Sequence, residues 1–180
     1  MKIIGISGSL RKASHNTALL RTLISLQPQG MEIEPVRLSG IPVYDGDDEK
    51  ATGKPAAILE LDQKIRASDG VIIVTPEYNF SVPGGLKNAT DWLSRGTSPL
   101  KWKRIGIMGA SDGPIGTARS QYHLRQTLQA HEAIVMPRPE IFVSTAHEKF
   151  DAQGNLTDEA TRNRLIKWLK SFADWVEKQP

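Results

Sequence analysis

Ser7, Gly8, Ser9, Arg11, Ser14, Asn16 and Thr17 follow directly on the apolar run Ile3-Ile4-Gly5-Ile6. Hydroxyls, an amide and a guanidinium gather there with no carboxylate among them. A loop that leaves a strand and enters a helix near Thr17 presents unpaired backbone N–H groups and the positive end of the helix dipole. Together these donors suit a phosphate dianion, which Arg11 can grip in two places while small residues let the backbone approach. The plainer reading is a polar turn with a Ser or Asn helix cap. Neither G-x-G-x-x-G nor G-x-x-x-x-G-K-[ST] occurs, so neither an NAD-type dinucleotide fold nor a P-loop is supported. Gly5-Ile6-Ser7-Gly8-Ser9 has serine where a hydrolase elbow needs its second glycine. A loop that seats a mononucleotide phosphate remains.

A second chemical stretch, Thr75-Pro76-Glu77-Tyr78-Asn79-Phe80-Ser81-Val82-Pro83-Gly84-Gly85, follows Val71-Ile72-Ile73-Val74. Pro76 restricts the loop and Pro83 fits the first position of a helix. Held this way, the aromatic residues form one wall for a flat ring. Gly84 and Gly85 serve either close approach of a ligand or partner, or helix packing. Trp92 and Leu93 read as core or interface. His15, His123, His131 and His147 show no metal-ligand spacing, so they read as structural or exposed. No metal site and no catalytic side chain is assigned.

Strands and helices must bring these loops together. Ile3 to Ile6, Val71 to Val74, Ile105 to Met108 and Ala133 to Met136 are short, branched and free of polar alternation, as parallel strands buried on both faces require. Met31 to Val36 alternates and contains Pro35, which suits an edge strand. Ile58, Leu61 and Ile65 share a face within Ala56 to Ser68, as do Leu165, Trp168, Leu169, Phe172 and Val176 in the last segment, with Thr157 as its predicted N-cap. The acidic stretch Tyr44 to Lys54 reads as a surface loop. Alternating strand and helix implies an α/β fold in which a five-stranded parallel sheet of order 2-1-3-4-5 lies between helical layers. The loops after Ile6, Val74 and Met108 then meet at the carboxyl ends of the strands.

The totals narrow the class. A chain of 180 residues suits one domain spanning 1–180, and 39% apolar with 24% charged residues is ordinary for a globular chain. Without cysteine there is no disulfide, thiolate nucleophile or thiolate metal site. Gly5, Ser7 and Gly8 break the first apolar run short of a signal-peptide core, and no stretch is long enough to span a bilayer, so the cytoplasm is the expected location. The net charge of +3 is scattered, which argues against nucleic acid as a partner and mildly favours anionic ligands.

The combination G-S-L-R-K-A-S-H-N, P-E-Y-N-F-S-V-P-G-G-L-K-N-A-T-D-W-L-S-R and G-A-S-D-G-P-I-G-T-A-R-S-Q-Y-H-L-R-Q closely resembles the NADPH-dependent FMN reductase family, nearest its bacterial quinone and chromate reductases. The resemblance runs from the first strand to about Glu140. It implies a flavodoxin-like fold, noncovalent FMN, and ping-pong transfer of electrons from NADPH or NADH to quinones, with azo dyes, free flavins and chromate as further acceptors. It also implies a homodimer or homotetramer, and the helix face bearing Arg119, Tyr122, Arg125 and Gln126 has a composition compatible with a subunit contact. Carried onto this chain, the phosphate lies on Ser9, Arg11, Ser14, Asn16 and the backbone of Leu10, Lys12, Ala13 and His15, with Thr17 completing the set. The flavin ring meets Pro76, Glu77, Tyr78, Asn79 and Phe80, largely through backbone, and Ser111 approaches from the third loop. Asp112 departs from the pattern, placing a carboxylate where small neutral residues are expected beside a reduced flavin.

Overall fold

The computed structural model describes residues 1–178. Strands β1 (Lys2–Ser7), β2 (Glu32–Arg37), β3 (Gly70–Val74), β4 (Arg104–Ala110), β5 (Ile134–Val135) and β6 (Ile141–Val143) form one parallel sheet. Between and after them lie α1 (His15–Leu26), α2 (Gly46–Thr52), α3 (Ala56–Arg66), α4 (Gly84–Leu93), α5 (Ala118–Gln129), α6 (Ala146–Lys149) and α7 (Glu159–Glu177). The order is β2-β1-β3-β4-β5, with β6 also beside β4, as expected of a flavodoxin-like fold.

Burial explains the strand pattern. Alternate residues feed two cores: Ile3, Ile72, Val74, Met108 and Ala110 pack with α1 and α7, while Ile4, Ile6, Val71, Ile73, Ile105 and Ile107 pack with α3, α4 and α5. Removing water from a branched aliphatic side chain stabilises the fold by about 1.5–3 kcal/mol. Strands covered on both faces therefore carry almost no polar residues. Gly106 is needed because a Cβ there would collide with the ring of Trp168, which is buried beneath α7.

Four features differ from the sequence expectation. The fifth position in the sheet is occupied by two half-strands, Arg104 and Ile105 pairing with Ile134 and Val135, and Met108 to Ala110 pairing with Ile141 to Val143. Pro137 and Pro139, which cannot donate to a ladder, lie between the halves, and β5 is only half-buried. The acidic stretch contains α2, a seven-residue helix capped by Asp45 with no buried residue. The caps move by a residue or two: Asp158 rather than Thr157 caps α7, Pro83 precedes α4, and α1 begins at His15 rather than near Thr17. Arg125, on the helix face with Arg119, Tyr122 and Gln126, is half-buried, its guanidinium donating to the Met136 carbonyl and lying 3.7 Å from Glu140. No described helix is long and apolar enough to cross a membrane.

Candidate active site

Parallel strands deliver three loops to one edge of the sheet. The Gly8 N–H donates to the Val74 carbonyl at 2.8 Å, fastening the β1–α1 loop to the end of β3. A Cβ on Gly8 would come within 3.0 Å of Leu86 and 3.2 Å of Pro76, so any side chain there would have to displace those neighbours by a few tenths of an ångström. Gly85 leaves room for the Leu10 side chain, whereas Gly84 faces open space.

Within the first loop, local bonds account for some donors and leave others. The Ser9 Oγ accepts the Arg11 N–H at 3.3 Å, and the Ser14 Oγ caps α1 by accepting the Asn16 N–H at 3.1 Å. Ser7 and Thr17 share a hydroxyl bond of 3.0 Å. The backbone N–H groups of Lys12, Ala13, His15 and Thr17 have no acceptor among the described residues. Arg11 is exposed, its guanidinium making only a 3.4 Å bond to the Ala13 carbonyl. The expectation that the Asn16 amide faces a ligand is not met. Its Nδ2 donates to the Ala110 carbonyl and its Oδ1 accepts the Ala110 N–H, each at 2.9 Å, tying α1 to the end of β4.

The second loop turns sharply. Tyr78 and Ser81 exchange backbone hydrogen bonds of 3.2 and 3.0 Å, with Asn79 (φ 49°) and Phe80 (φ 64°) between them in left-handed backbone. That is the geometry of a two-residue hairpin turn, in which asparagine is at ease and phenylalanine is strained. Phe80 is nonetheless 66% exposed, with the Arg119 guanidinium 3.9 Å from its ring centroid. The Glu77 carboxylate is held by α5: it accepts from Arg119 at 3.2 Å and from the Ser120 N–H at 3.1 Å, capping that helix from outside. Pro76 is buried, and its carbonyl accepts the Thr75 hydroxyl.

The third loop is held by β6 and α6. The Ser111 N–H donates to the Val143 carbonyl at 3.0 Å and the Ser111 carbonyl accepts the Ala146 N–H at 3.0 Å. Asp112 bridges two histidines, with His15 Nε2 at 3.3 Å and His147 Nδ1 at 3.4 Å, and it also accepts the His147 N–H at 3.0 Å. The unexpected carboxylate thus joins the start of α1 to α6.

Glu77, Asn79, Phe80 and Ser111 line a cleft of about 570 Å³ together with Gly113, Pro114, Ile115 and Arg119. This volume lies within the range of small-molecule sites. The first loop does not line it: Lys12, Ala13, Ser14 and His15 border a separate hollow of about 440 Å³ beside Arg21 and Asp151. Leu10 and Tyr78 are exposed near the loop tips. The sequence places Arg119 only on a helix face; in the cleft it is bridged to Glu77, forty-two residues earlier in the chain.

A family model described as NADPH-dependent FMN reductase matches residues 1–148. An NAD(P)H-dependent FMN reductase of Pseudomonas aeruginosa is 46% identical over 179 residues, covering 99% of this chain and 96% of its own. A quinone reductase of Escherichia coli is 44% identical over 181 residues, with coverage of 99% and 96%. Among solved structures, a flavoenzyme NAD(P)H:(acceptor) oxidoreductase from Paracoccus denitrificans superposes with a TM-score of 0.88 at 35% identity, covering 98% of this chain and 97% of its own.

Proposed function

The chain belongs to the NADPH-dependent FMN reductase family, and from that membership we propose an FMN-dependent enzyme that passes electrons from NADPH or NADH to quinones. The observation that carries this reading is the junction at the carboxyl edge. Unpartnered N–H groups and Arg11 stand on one side, and an open cleft walled by Asn79 and Phe80 on the other.

The donor set fits the phosphate of FMN. Free N–H groups of Lys12, Ala13, His15 and Thr17 surround the start of α1, and the loop itself carries no carboxylate. Two acids stand beside it: Asp112 is engaged by His15 and His147, and Asp151 accepts from the Gln153 and Asn155 N–H groups and the Asn155 side-chain amide. Arg11, Ser9 and Ser14 hold the phosphate with the backbone from Leu10 to His15, while Asn16 and Thr17 keep the first turn of α1 in place. When bound, FMN supplies the redox chemistry, its ring accepting a hydride and returning two electrons.

The chain's own residues bind and orient. Pro76, Glu77, Tyr78, Asn79 and Phe80 meet the ring through backbone, because the Glu77 carboxylate is committed to α5. Ser111 closes the side formed by the third loop. Phe80 and Arg119 make the outer wall along which a flat substrate aligns, so that proximity supplies much of the acceleration. NAD(P)H and quinone use this one cleft in turn, a ping-pong order, and no side chain serves as general acid or base. The same opening admits azo dyes, free flavins and chromate. The chain works as one unit over 1–180 in the cytoplasm, as a homodimer or homotetramer that uses the exposed α5 face bearing Tyr122 and Gln126.

The test is spectroscopic. Purified protein with FMN should turn yellow, bleach within seconds when NADPH is added without oxygen, and recolour on addition of benzoquinone. Bound flavin that neither NADPH nor NADH bleaches would mark an electron carrier instead, and failure to retain flavin would overturn the cofactor assignment. Light scattering of the same sample gives the subunit number.

A further inference from the structure

At the amino end of the sheet, Trp102 occupies the turn before β4 with 64% of its surface exposed and φ at 59°. Left-handed backbone disfavours a bulky side chain and suits glycine, and an indole left in water adds little to folding. The turn is firmly held: the Trp102 N–H donates to the Glu132 carbonyl at 3.0 Å and the Lys103 N–H to the Leu100 carbonyl at 2.9 Å. The exposed ring meets the Lys101 ammonium, 5.6 Å from its centroid, and otherwise faces solvent.

Two clefts of about 450 and 410 Å³ share Trp102 as a wall. The larger contains Lys103 and Arg104 beside Ser68, Asp69 and Ile134. Its one acid, Asp69, accepts the Lys2 N–H at 2.6 Å, and Glu132, which lines the smaller cleft, is paired with Lys101 at 2.9 Å. Lys103 donates to the Ser68 carbonyl, and burial pushes its ammonium pKa down, with Asp69 opposing and Arg66 adding to the shift. An anion would relieve that desolvated cation. Arg104 donates to the Lys178 carbonyl at 2.8 Å and lies over Trp175, which among the described residues leaves further guanidinium donors for a ligand.

We propose that the cleft beside Trp102 is a second ligand site that takes a planar aromatic anion, its ring on the exposed indole and its phosphate or carboxylate at Lys103 and Arg104. Rings stack on tryptophan readily, and charge-assisted bonds to two cations fix the other end. The site is separated from the FMN cleft by the length of β4, about 20 Å at the usual rise per residue, so its occupant plays no part in hydride transfer.

Protein saturated with FMN is titrated with AMP while the indole N–H resonances are recorded, and the Trp102→Gly variant identifies the Trp102 signal. That signal should shift saturably with AMP. Adenosine, lacking the anion, and inorganic phosphate, lacking the ring, should each bind at least about tenfold more weakly. Calorimetric AMP binding should be lost in Trp102→Gly and weakened at least about fivefold in the Lys103→Gln, Arg104→Gln double variant, with quinone turnover unchanged in Trp102→Gly. An unmoved Trp102 resonance at millimolar AMP, equal binding of adenosine or phosphate, or undiminished binding in Trp102→Gly would overturn the proposal.

Discussion

Phe80 and Trp102 stand at opposite ends of the sheet, both exposed and both in left-handed backbone, with φ of 64° and 59°. Their surroundings differ. At the carboxyl end, the first turn of α1 leaves backbone N–H groups free, the Glu77 carboxylate is bound to α5 and Asp112 lies against two histidines. Around Trp102 the backbone is closed, the Ser68 carbonyl accepting from Lys103 and the Glu132 carbonyl from Trp102 itself. Parallel topology explains the contrast: every β–α connection sends a helix N-terminus to the carboxyl end, so donors the fold cannot satisfy collect there. A ligand at the amino end must rely on side-chain charge and an aromatic face.

The most damaging way to break this contrast is to cut the join behind the carboxyl-end loops. Asn16→Ala leaves the buried N–H and carbonyl of Ala110 without partners, at a cost of roughly 1–3 kcal/mol each. Urea unfolding of the apoprotein should show a loss of about 2–6 kcal/mol. Arg11→Ala comes next and acts on the ligand alone. Calorimetry should find FMN affinity lowered by about 10- to 150-fold, equivalent to roughly 1.5–3 kcal/mol. Apoprotein stability should stay the same, because Arg11 makes only one long bond.

Glycine exchanges compare the two aromatics directly. Phe80→Gly and Trp102→Gly each relieve left-handed strain of about 1 kcal/mol, less the cation–π contact with Arg119 or Lys101. Both melting temperatures should rise slightly, while quinone turnover falls only in Phe80→Gly; a fall in both would erase the distinction between the ends.

The smallest effect concerns His131, which bonds Ser98 at 2.8 Å and braces the Trp102 turn through Glu132. Burial lowers its pKa below the ordinary 6.5, opposed by Asp91 and reinforced by Lys87. The fold therefore favours the neutral ring. Its contribution is complete above about pH 6.5 and is lost as pH falls through the lowered folded value. Unfolding free energy measured from pH 7 to 5 should slope downward in the parent and less so in His131→Gln, with FMN affinity alike in both at pH 7.

Legibility followed burial. Ile3 to Ile6 and Val71 to Val74 were readable because both faces of the sheet are covered, which leaves an unbroken apolar run. The helix α2 was not, since none of its residues is buried and no hydrophobic period marks it. Strand β6 follows two prolines and is too short for alternation to register. In the site, loop composition announced an anion cradle, but the task of Asn16 lies ninety-four residues away at Ala110 and leaves no local trace. Arg119 was likewise hidden, because its position depends on Glu77 from another loop. The partners of Asp112, His15 and His147, stand ninety-seven and thirty-five residues away from it and likewise leave no local trace.

The central claim is that the β1–α1 loop holds the phosphate end of FMN while chemistry occurs at the cleft beside Phe80. Comparing FMN with riboflavin, which has the same ring and no phosphate, tests it most directly. In parallel titrations FMN should bind the parent at least about tenfold more tightly than riboflavin, and Arg11→Ala should remove most of that margin while leaving riboflavin binding as it was. Equal affinities in the parent, or a margin that Arg11→Ala leaves intact, would contradict the account.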